Sequence, residues 1–434
     1  MAEVLQVANK PAPTAVPAPQ PIKPSAAREL LKELAGKIPR AMSGVDRQEY
    51  IGMRLLKELS DDKILQLQDY YNTFLQVMRD KQASDIDIGG WGSKGYVWLR
   101  IHGSKKPIEV LSKFSNVEMD ILIQSLLMEN QKKALYKSRN LDFSYNYRGK
   151  DGVSSRYRAD AYFETNCLAL NMRAINTKIF PFETYDFHKN VVKMLSLNHT
   201  KEGVVLCTGI TGSGKSTTLD SVVDMNNRTA DGHIVIIASP IEFVHESKKC
   251  LVRHREVGRD TMSFKTGTVE ALRQDPDIIM IGEMRDPETI MAALEVADSG
   301  HKVFSTLHTS SAVESIDRIV GEVPTGEQER VRNRLADTLR CVISQKLVPT
   351  IAGGRVLAKE ILLMTPSVRS AILNNNIGEI YQMISQSIKD GMRTIEQDLV
   401  KLFMEKKITL NTALSYANNK RRIEQILKLS NQGR

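Results

Sequence analysis

Cysteine is scarce in this sequence, and the positions of the few cysteines argue against two kinds of site. Only 4 of the 434 residues are cysteine, and no two of them form a C-x-x-C pair. They are Cys167, Cys207, Cys250 and Cys341. Such scattered thiols argue against a disulfide framework and against a tetracysteine zinc site, so we expect no bound zinc. They favour a protein that works in a reducing compartment such as the cytoplasm.

Long apolar runs are also missing. No stretch approaches the roughly 20 residues that a membrane-spanning helix needs, and the first residues lack the pattern of a secretory signal. No internal repeat is visible. The apolar content of 41% and the charged content of 26% are typical of ordinary globular domains. The length predicts about two or three of them.

The charge balance is basic, with 60 lysines and arginines against 51 aspartates and glutamates, a formal net charge of +9. An excess of this kind can attract nucleic acid or an anionic membrane surface. Here the basic residues are interspersed with acidic ones almost everywhere, which favours a solvated surface. We therefore expect no nucleic-acid partner.

Residues 209–216 read G-I-T-G-S-G-K-S, a complete G-x-x-x-x-G-K-[ST] phosphate-binding loop. It follows a short apolar run that predicts a buried strand, Val204–Thr208, and it precedes a segment that can open a helix. The expected binding residues are Gly209, Thr211, Gly212, Ser213, Gly214, Lys215, Ser216 and Thr217. Lys215 is expected to reach the β- and γ-phosphates, and the Ser216 hydroxyl to bind Mg²⁺. The chain therefore binds a nucleoside triphosphate, for which we expect ATP.

Two carboxylates follow predicted strands. Glu242 comes after the run His233–Ala238, and Glu283 comes after Asp277–Ile281. Because ligands bind at the carboxyl ends of strands in parallel sheets, both are candidates to hold Mg²⁺ or to orient the attacking water.

Two histidines bracket another predicted strand, Lys302–Thr306. His301 and His308 are seven positions apart, which places them on opposite faces of the strand and is the wrong spacing for a helical metal pair. Each is better suited to sensing phosphate or to a hydrogen bond at the end of the strand.

Strand-length apolar runs alternate with helix-length segments from about residue 187. This pattern predicts the α/β fold class, with a largely parallel sheet covered on both faces. Upstream, an apolar–polar alternation interrupted by a helix-like stretch at 117–133 predicts a small α+β domain on an antiparallel sheet. Earlier still, Ile64, Leu67, Tyr71, Phe74 and Met78 share one helical face, but the sequence does not decide whether these helices pack on that domain or on a partner.

Five divisions of the chain follow from these patterns. They are a proline-rich disordered tail at 1–27, a helical extension at 28–82, the α+β domain at 83–184, the nucleotide-binding domain at 185–365 and a helical segment at 366–434.

Several segments occur together in a fixed order: the phosphate loop at 209–218, P-I-E-F-V-H-E-S-K-K-C at 240–250, R-E-V at 255–257, D-P-D-I-I-M-I-G-E-M-R-D at 275–286 and the stretch 300–309. In this order they resemble the secretion ATPase superfamily, and within it the twitching-motility (PilT-type) ATPases that retract type IV pili. The resemblance covers roughly residues 185–365. It implies a RecA-like P-loop ATPase domain preceded by a small α+β (PAS-like) domain.

The resemblance also implies roles. Glu242 corresponds to the catalytic glutamate of the family's Asp box, Glu283 to the acidic residue of its Walker B segment, and His301 and His308 to its His box. Family members form homo-hexamers in which arginines of the N-terminal domain reach the nucleotide. The candidates for these arginines are Arg156, Arg158 and Arg173.

An inner-membrane pilus platform protein, and a second pilus motor ATPase, are the partners implied by the family. Its members act in the cytoplasm, peripheral to the inner membrane. The resemblance therefore implies an ATP-hydrolysing, Mg²⁺-dependent motor for pilus retraction.

Two departures from the family pattern leave alternatives open. Ser239 stands where the Asp box usually has aspartate, and residues 367–374, S-V-R-S-A-I-L-N, are only a degenerate form of the retraction motif. The chain could instead be a weakly active accessory ATPase, or an assembly or type II secretion ATPase. The latter usually carry a tetracysteine zinc segment after the Walker B segment, where this sequence has only Cys341. A DNA-transfer motor on the same core is a further alternative.

Overall fold

The computed structural model describes residues 26–101, 103–111, 113–149, 152–175 and 179–432. The predicted proline-rich tail lies outside these residues, apart from Ala26 and Ala27, which already belong to the first helix. The chain divides into two compact units. The N-terminal unit ends at Ala174 and the C-terminal unit begins at Ile175.

The N-terminal unit contains an antiparallel sheet, as the alternating sequence pattern predicts. Its strands are β1 (Asp85–Gly89), β2 (Trp98–Ile101), β3 (Ser104–Pro107), β4 (Asn140–Arg148), β5 (Ser154–Glu164) and β6 (Cys167–Ala174). Their order across the sheet is β3-β2-β1-β6-β5-β4. Since alternate side chains of a strand point to opposite faces, Ile86, Leu99 and Met172 are buried on one face while their neighbours Asp85, Arg100 and Arg173 lie on the other.

The helices of this unit share a hydrophobic core with the apolar face of the sheet. The unit has helices α1 (Ala26–Gly36), α2 (Gly44–Tyr50), α3 (Asp61–Asp80), α4 (Asn116–Ser125) and α5 (Glu129–Ser138). Leu31 of α1 and Leu67 and Phe74 of α3 share one hydrophobic core with Ile86 of β1. Burial of each such side chain contributes about 1.5–3 kcal/mol. The structure thus decides the question that the sequence left open: these helices pack on the α+β domain.

The helix-like stretch at 117–133 is two helices rather than one. The chain leaves α4 through a tight turn and becomes extended at Met128, which precedes α5. The Gln131 side chain accepts a hydrogen bond of 2.9 Å from the Met128 backbone N–H, a local capping interaction that helical periodicity alone does not reveal.

The C-terminal unit is built on a seven-stranded sheet. Its strands are β7 (Gly203–Thr208), β8 (Gly232–Ala238), β9 (Cys250–Glu256), β10 (Ile278–Ile281), β11 (Lys302–Leu307), β12 (Leu339–Pro349) and β13 (Arg355–Leu363). The order is β13-β12-β7-β11-β10-β8-β9, and only the β12–β13 pairing is antiparallel. All residues of β7 and β11 are buried, so both faces of the sheet are covered. The predicted α/β fold is confirmed.

One helix precedes these strands, and the others connect or follow them. They are α6 (Lys189–Leu195), α7 (Lys215–Thr229), α8 (Phe264–Ala271), α9 (Pro287–Asp298), α10 (Ala312–Gly321), α11 (Gln328–Thr338), α12 (Pro366–Leu373), α13 (Ile380–Gln386), α14 (Ile395–Met404), α15 (Leu410–Tyr416) and α16 (Lys420–Gln432). Phe182, which the sequence analysis assigned to the α+β domain, is buried in the core of this unit. In the segment from 366 onward, α12 and α13 join the main core, whereas α14–α16 form a smaller one with Val348 and Ala358.

The parallel register brings four strand ends to one edge of the sheet. Thr208 of β7 pairs with Leu307 of β11, and Ile281 of β10 pairs with both Ser305 of β11 and Ile237 of β8. The loops after these strands therefore emerge side by side, as ligand-binding loops do in such sheets. Among the described residues, no helix has the length and apolar character needed to cross a membrane.

Candidate functional site

The phosphate loop connects the central strand β7 to helix α7, the context that its sequence predicts. Gly209 has a φ of +147°, and a Cβ atom there would lie 2.6 Å from the carbonyl oxygen of Gln345. Gly214, with a φ of +91°, turns the chain into α7. Only glycine accepts both situations, so backbone N–H groups and the helix N-terminus can face a phosphate group.

Lys215 is the first residue of α7 and is only 8% exposed. Its ammonium donates hydrogen bonds to the carbonyl oxygens of Gly209, at 2.8 Å, and Ile210, at 3.2 Å. Burial lowers the pKa of Lys215, and the nearby carboxylates of Glu283 and Glu242 oppose this decrease. The ammonium and the two carboxylates thus lie within electrostatic range of one another, as a nucleotide site requires.

Glu283 is the second residue after β10, and hydrogen bonds hold the backbone of the preceding Gly282. The Gly282 N–H donates a hydrogen bond of 2.7 Å to the Ile237 carbonyl oxygen. The Thr306 hydroxyl donates one of 2.6 Å to the Gly282 carbonyl oxygen. The Arg285 guanidinium forms an ion pair with the Glu283 carboxylate, with 2.6 Å between Nε and the carboxylate oxygen.

His308 follows β11 and lies beside Glu283, with 3.8 Å between its Nε2 atom and the carboxylate. Burial lowers the pKa of His308, and the Lys215 ammonium lowers it further. The ring is therefore neutral near pH 7, able to accept or donate a hydrogen bond without adding charge to the site.

Glu242 is exposed on the loop between β8 and β9. The Ser239–Pro240 peptide bond that opens this loop is cis. The backbone N–H of Ile241 donates a hydrogen bond of 3.2 Å to the Glu256 carboxylate at the end of β9. The Glu242 carboxylate lies close enough to the Lys215 ammonium to raise its pKa, which places it at the same sheet edge as Lys215, Glu283 and His308.

The structure does not bring His301 to this edge. His301 precedes β11, and its carbonyl oxygen accepts from the Gly203 N–H at the start of β7. Its ring nitrogen Nδ1 lies 3.0 Å from the Ser299 hydroxyl. The six-residue strand β11 separates it from His308 by about 20 Å, because a strand rises about 3.3 Å per residue. Within its own chain, His301 makes a hydrogen bond at a strand end.

The three candidate arginines lie in the N-terminal unit, on the polar face of its sheet. Arg156 donates to the Asn146 side chain at 2.9 Å. Arg158 lies 3.6 Å from Asp142, and Arg173 lies 2.8 Å from Asp85. Arg158 and Arg173 are directly opposite each other on β5 and β6.

The donor atoms at the phosphate loop suit Mg²⁺ and phosphate. Ser216, in the first turn of α7, and Glu283 offer a hydroxyl and a carboxylate, the hard oxygen ligands that Mg²⁺ prefers. Within the described residues, the buried hydroxyl of Ser213 has no hydrogen-bond partner, so it is available to a phosphate oxygen.

Strand β12 supports the loop through residues that the sequence analysis missed. The Thr208 and Ser344 hydroxyls lie 2.7 Å apart. The Gln345 amide donates to Thr218 at 2.7 Å. Two adjacent polar residues inside an apolar strand are a sequence signal, but their partners lie more than a hundred residues away.

Comparison with known proteins identifies relatives. A profile of the family described as "Type II/IV secretion system protein" matches residues 164–413. The type IV pilus retraction ATPase PilT of Pseudomonas aeruginosa is 41% identical over 301 residues, which are 69% of this chain and 85% of that protein. The type IV pilus ATPase PilU of the same organism is 31% identical over 363 residues, 83% of this chain and 92% of that protein.

A solved structure shows the same fold. The crystal structure of the pilus retraction motor PilT with bound ADP has a TM-score of 0.73 and 35% sequence identity, covering 82% of this chain and 98% of that one. The profile match spans more than half of the chain, and its motifs lie at the sheet edge described above. The chain therefore belongs to the type II/IV secretion system protein family.

Proposed function

We propose that this chain is the ATP-hydrolysing motor that retracts type IV pili. The observation that carries the proposal is the convergence of Lys215, Glu283, Glu242 and His308 at one sheet edge around a complete phosphate loop. The chain is similar to a retraction ATPase over 85% of that protein, which supports a retraction motor rather than an assembly motor.

Each residue has a definite task in this proposal. The loop N–H groups and Lys215 bind the β- and γ-phosphates of ATP, and Ser216 and Glu283 hold Mg²⁺. Bound Mg²⁺ supplies positive charge that neutralises the phosphates. Glu242 accepts the proton of the attacking water, while neutral His308 keeps Glu283 oriented beside the γ-phosphate.

Six copies form a ring in this proposal, and one or more of Arg156, Arg158 and Arg173 reach the nucleotide of a neighbouring copy. An arginine supplied in this way stabilises the transition state and ties hydrolysis to movement between subunits. The ring works at the cytoplasmic face of the inner membrane, on the pilus platform protein, together with a second motor ATPase.

Steady-state ATP hydrolysis by the purified chain tests the proposal, with the molecular mass measured on the same sample. We expect a hexamer that hydrolyses ATP only when Mg²⁺ is present, and whose activity collapses in Glu242→Ala. Expression in a P. aeruginosa strain that lacks its retraction ATPase is expected to restore twitching motility. A monomer without ATPase activity would contradict the proposal.

A second candidate is an accessory retraction ATPase. Ser239 lacks the carboxylate expected before Pro240, and the PilU relative matches a larger share of this chain than the PilT relative does. The degenerate motif at 367–374 contains no carboxylate, and its Arg369 on α12 pairs instead with Asp337 of α11. A hexamer that hydrolyses ATP but restores twitching only beside an active retraction ATPase would favour this candidate.

A further inference from the structure

The loop that carries Glu242, residues 239–249, contains no helix or strand, yet it is firmly attached to helix α7. We infer that the buried pair His245–Asp220 positions the Glu242 carboxylate over the phosphate loop. This inference rests on the proposed ATPase function. His245 and Asp220 are positioning residues, since they act through Glu242 and not on the nucleotide.

The pair joins the two elements that hydrolysis must hold in register. His245 is only 4% exposed, and its Nε2 atom lies 3.1 Å from the Asp220 carboxylate. Asp220 is four residues after Ser216 on α7, so the two lie on the same face of the helix, one turn apart. The contact therefore docks the Glu242 loop on the helix face that presents Ser216.

Contacts of its backbone and of its ring hold His245 in place, in addition to the contact with Asp220. Its backbone N–H donates a hydrogen bond of 3.0 Å to the Nε2 atom of His254 on β9. Its ring lies parallel to the His254 ring and packs edge-on against Phe243, with 4.7 Å between the ring centres. Glu242 is three residues away, within about 10 Å along the chain. Only Phe243 and Val244 separate the two residues, so a displacement of His245 reaches Glu242 through a short connection.

The far end of the loop has separate contacts that provide a matched control. Lys248 pairs with Asp224 at 2.7 Å, one helical turn beyond Asp220, and the Lys248 side chain is 47% exposed. The Asn227 amide donates to the Glu246 carbonyl oxygen at 2.7 Å. Asp224 also pairs with Arg228 at 2.8 Å, and the side chains of Lys248 and Arg228 are 47% and 39% exposed, so both cations stay in contact with water when Asp224 is removed. Loss of Asp224 therefore leaves the Glu242 end of the loop in place.

The physical consequence is a selective loss of turnover. Without the pair, the Glu242 carboxylate samples a wider range of positions, and a misplacement of about 1 Å can reduce a rate by about 10²-fold. Nucleotide affinity is unaffected, because the contacts to phosphate come from the loop 209–216.

The experiment measures kcat and KM for ATP, and the affinity for ADP, in His245→Ala, Asp220→Ala and the double variant. We expect kcat to fall by about 10–100-fold in each, with KM and ADP affinity within about threefold of the parent. The double variant is expected to lose no more than either single variant, because the two residues act as one unit.

Conservative and control variants separate positioning from folding. His245→Gln, whose amide can donate from the position of Nε2, is expected to recover most of kcat, whereas His245→Leu, of similar size, is not. Asp224→Ala is expected to match the parent. If the alanine variants fail to bind ADP, His245→Gln and His245→Leu are compared instead, because both replace histidine with a side chain of similar size.

The reference variant is Glu242→Gln. If it loses turnover while His245→Ala and His245→Leu keep it, the inference is overturned and the proposed role of Glu242 stands. If Glu242→Gln keeps full turnover, the proposed role of Glu242 fails, and the inference fails with it. A parallel loss of ADP affinity and kcat in both His245→Leu and His245→Gln would also overturn the inference, since it would indicate a general disturbance of the fold.

Discussion

The ammonium of Lys215 donates a hydrogen bond of 2.8 Å to the carbonyl oxygen of Gly209, six residues earlier in the chain. A second hydrogen bond, to the carbonyl oxygen of Ile210, keeps the charged ammonium inside the phosphate loop. Because burial lowers the pKa of this group while Glu283 and Glu242 raise it, the cation is stabilised by the same carboxylates that the reaction needs.

Replacing Lys215 with alanine is expected to abolish ATP hydrolysis without preventing assembly. The variant removes the cation that faces the transferred phosphate, which lowers kcat by about 10²-fold or more. Turnover and molecular mass measured on one sample check this. Lys201→Ala, at an exposed lysine of the same unit, is the control and is expected to behave like the parent. Full activity in Lys215→Ala would contradict the assignment of the loop.

His308→Gln is expected to flatten the pH dependence of stability on the acidic side. The pKa of His308 in the fold is below its usual 6.5, so as the pH falls through 6.5 the unfolded chain takes up a proton that the folded chain does not. The parent therefore loses stability on acidification. Thermal unfolding between pH 5 and 8 measures this loss, which should be smaller in the glutamine variant. Identical pH profiles would mean that His308 titrates normally.

For Glu360 on β13 we expect the opposite pH dependence of folding stability. It accepts hydrogen bonds from the first N–H groups of α10 and α14, at Ala312 and Ile395, and it is 1% exposed. Burial raises its pKa to about 7. Between its usual pKa and 7 the folded chain holds a proton that the unfolded chain has lost, so this group's contribution to stability declines as the pH rises through that range.

The measurement compares unfolding free energies of the parent and Glu360→Gln from pH 5 to 8. The difference between the two is expected to change with a slope of at most about 1.4 kcal/mol per pH unit, the limit for one titrating group. A difference that does not vary with pH would show that Glu360 is ionised throughout this range.

Arg158→Ala and Arg173→Ala are expected to lower kcat while leaving the N-terminal unit folded. Both side chains are more than half exposed, and the buried Asp85 keeps Ser84 and Arg100 as partners when Arg173 is removed, so we expect the unit to stay folded. Arg100→Ala is the matched control, because Arg100 lies on the same sheet face and also pairs with Asp85. Turnover of the assembled protein is the readout. If Arg100→Ala lowers kcat as much as Arg173→Ala does, the loss comes from Asp85 rather than from an arginine acting on a neighbour.

The N-terminal unit shows which features of the fold can be predicted from the sequence and which cannot. The alternating pattern predicts its antiparallel strands, because a strand with one buried face must alternate. The sequence also predicts the apolar helical face formed by Leu67, Tyr71, Phe74 and Met78. It does not predict the surface against which this face packs. An apolar stripe specifies that a helix packs, whereas the surface that it packs against depends on shape and register across the whole unit.

The sequence by itself determined the phosphate loop, since its eight consecutive residues form a recognisable pattern between one strand and one helix. It also determined the parallel sheet, through short apolar runs separated by helix-length segments. The sequence also placed His301 and His308 at opposite ends of one strand. Only the tertiary structure decided that His308 lies beside Glu283, because that depends on how β10 and β11 align. The same holds for the contacts of Asp220 with His245 and of Gln345 with Thr218. Their partners are distant in sequence, and a hydrogen bond is specified by distance in space, which no local pattern encodes.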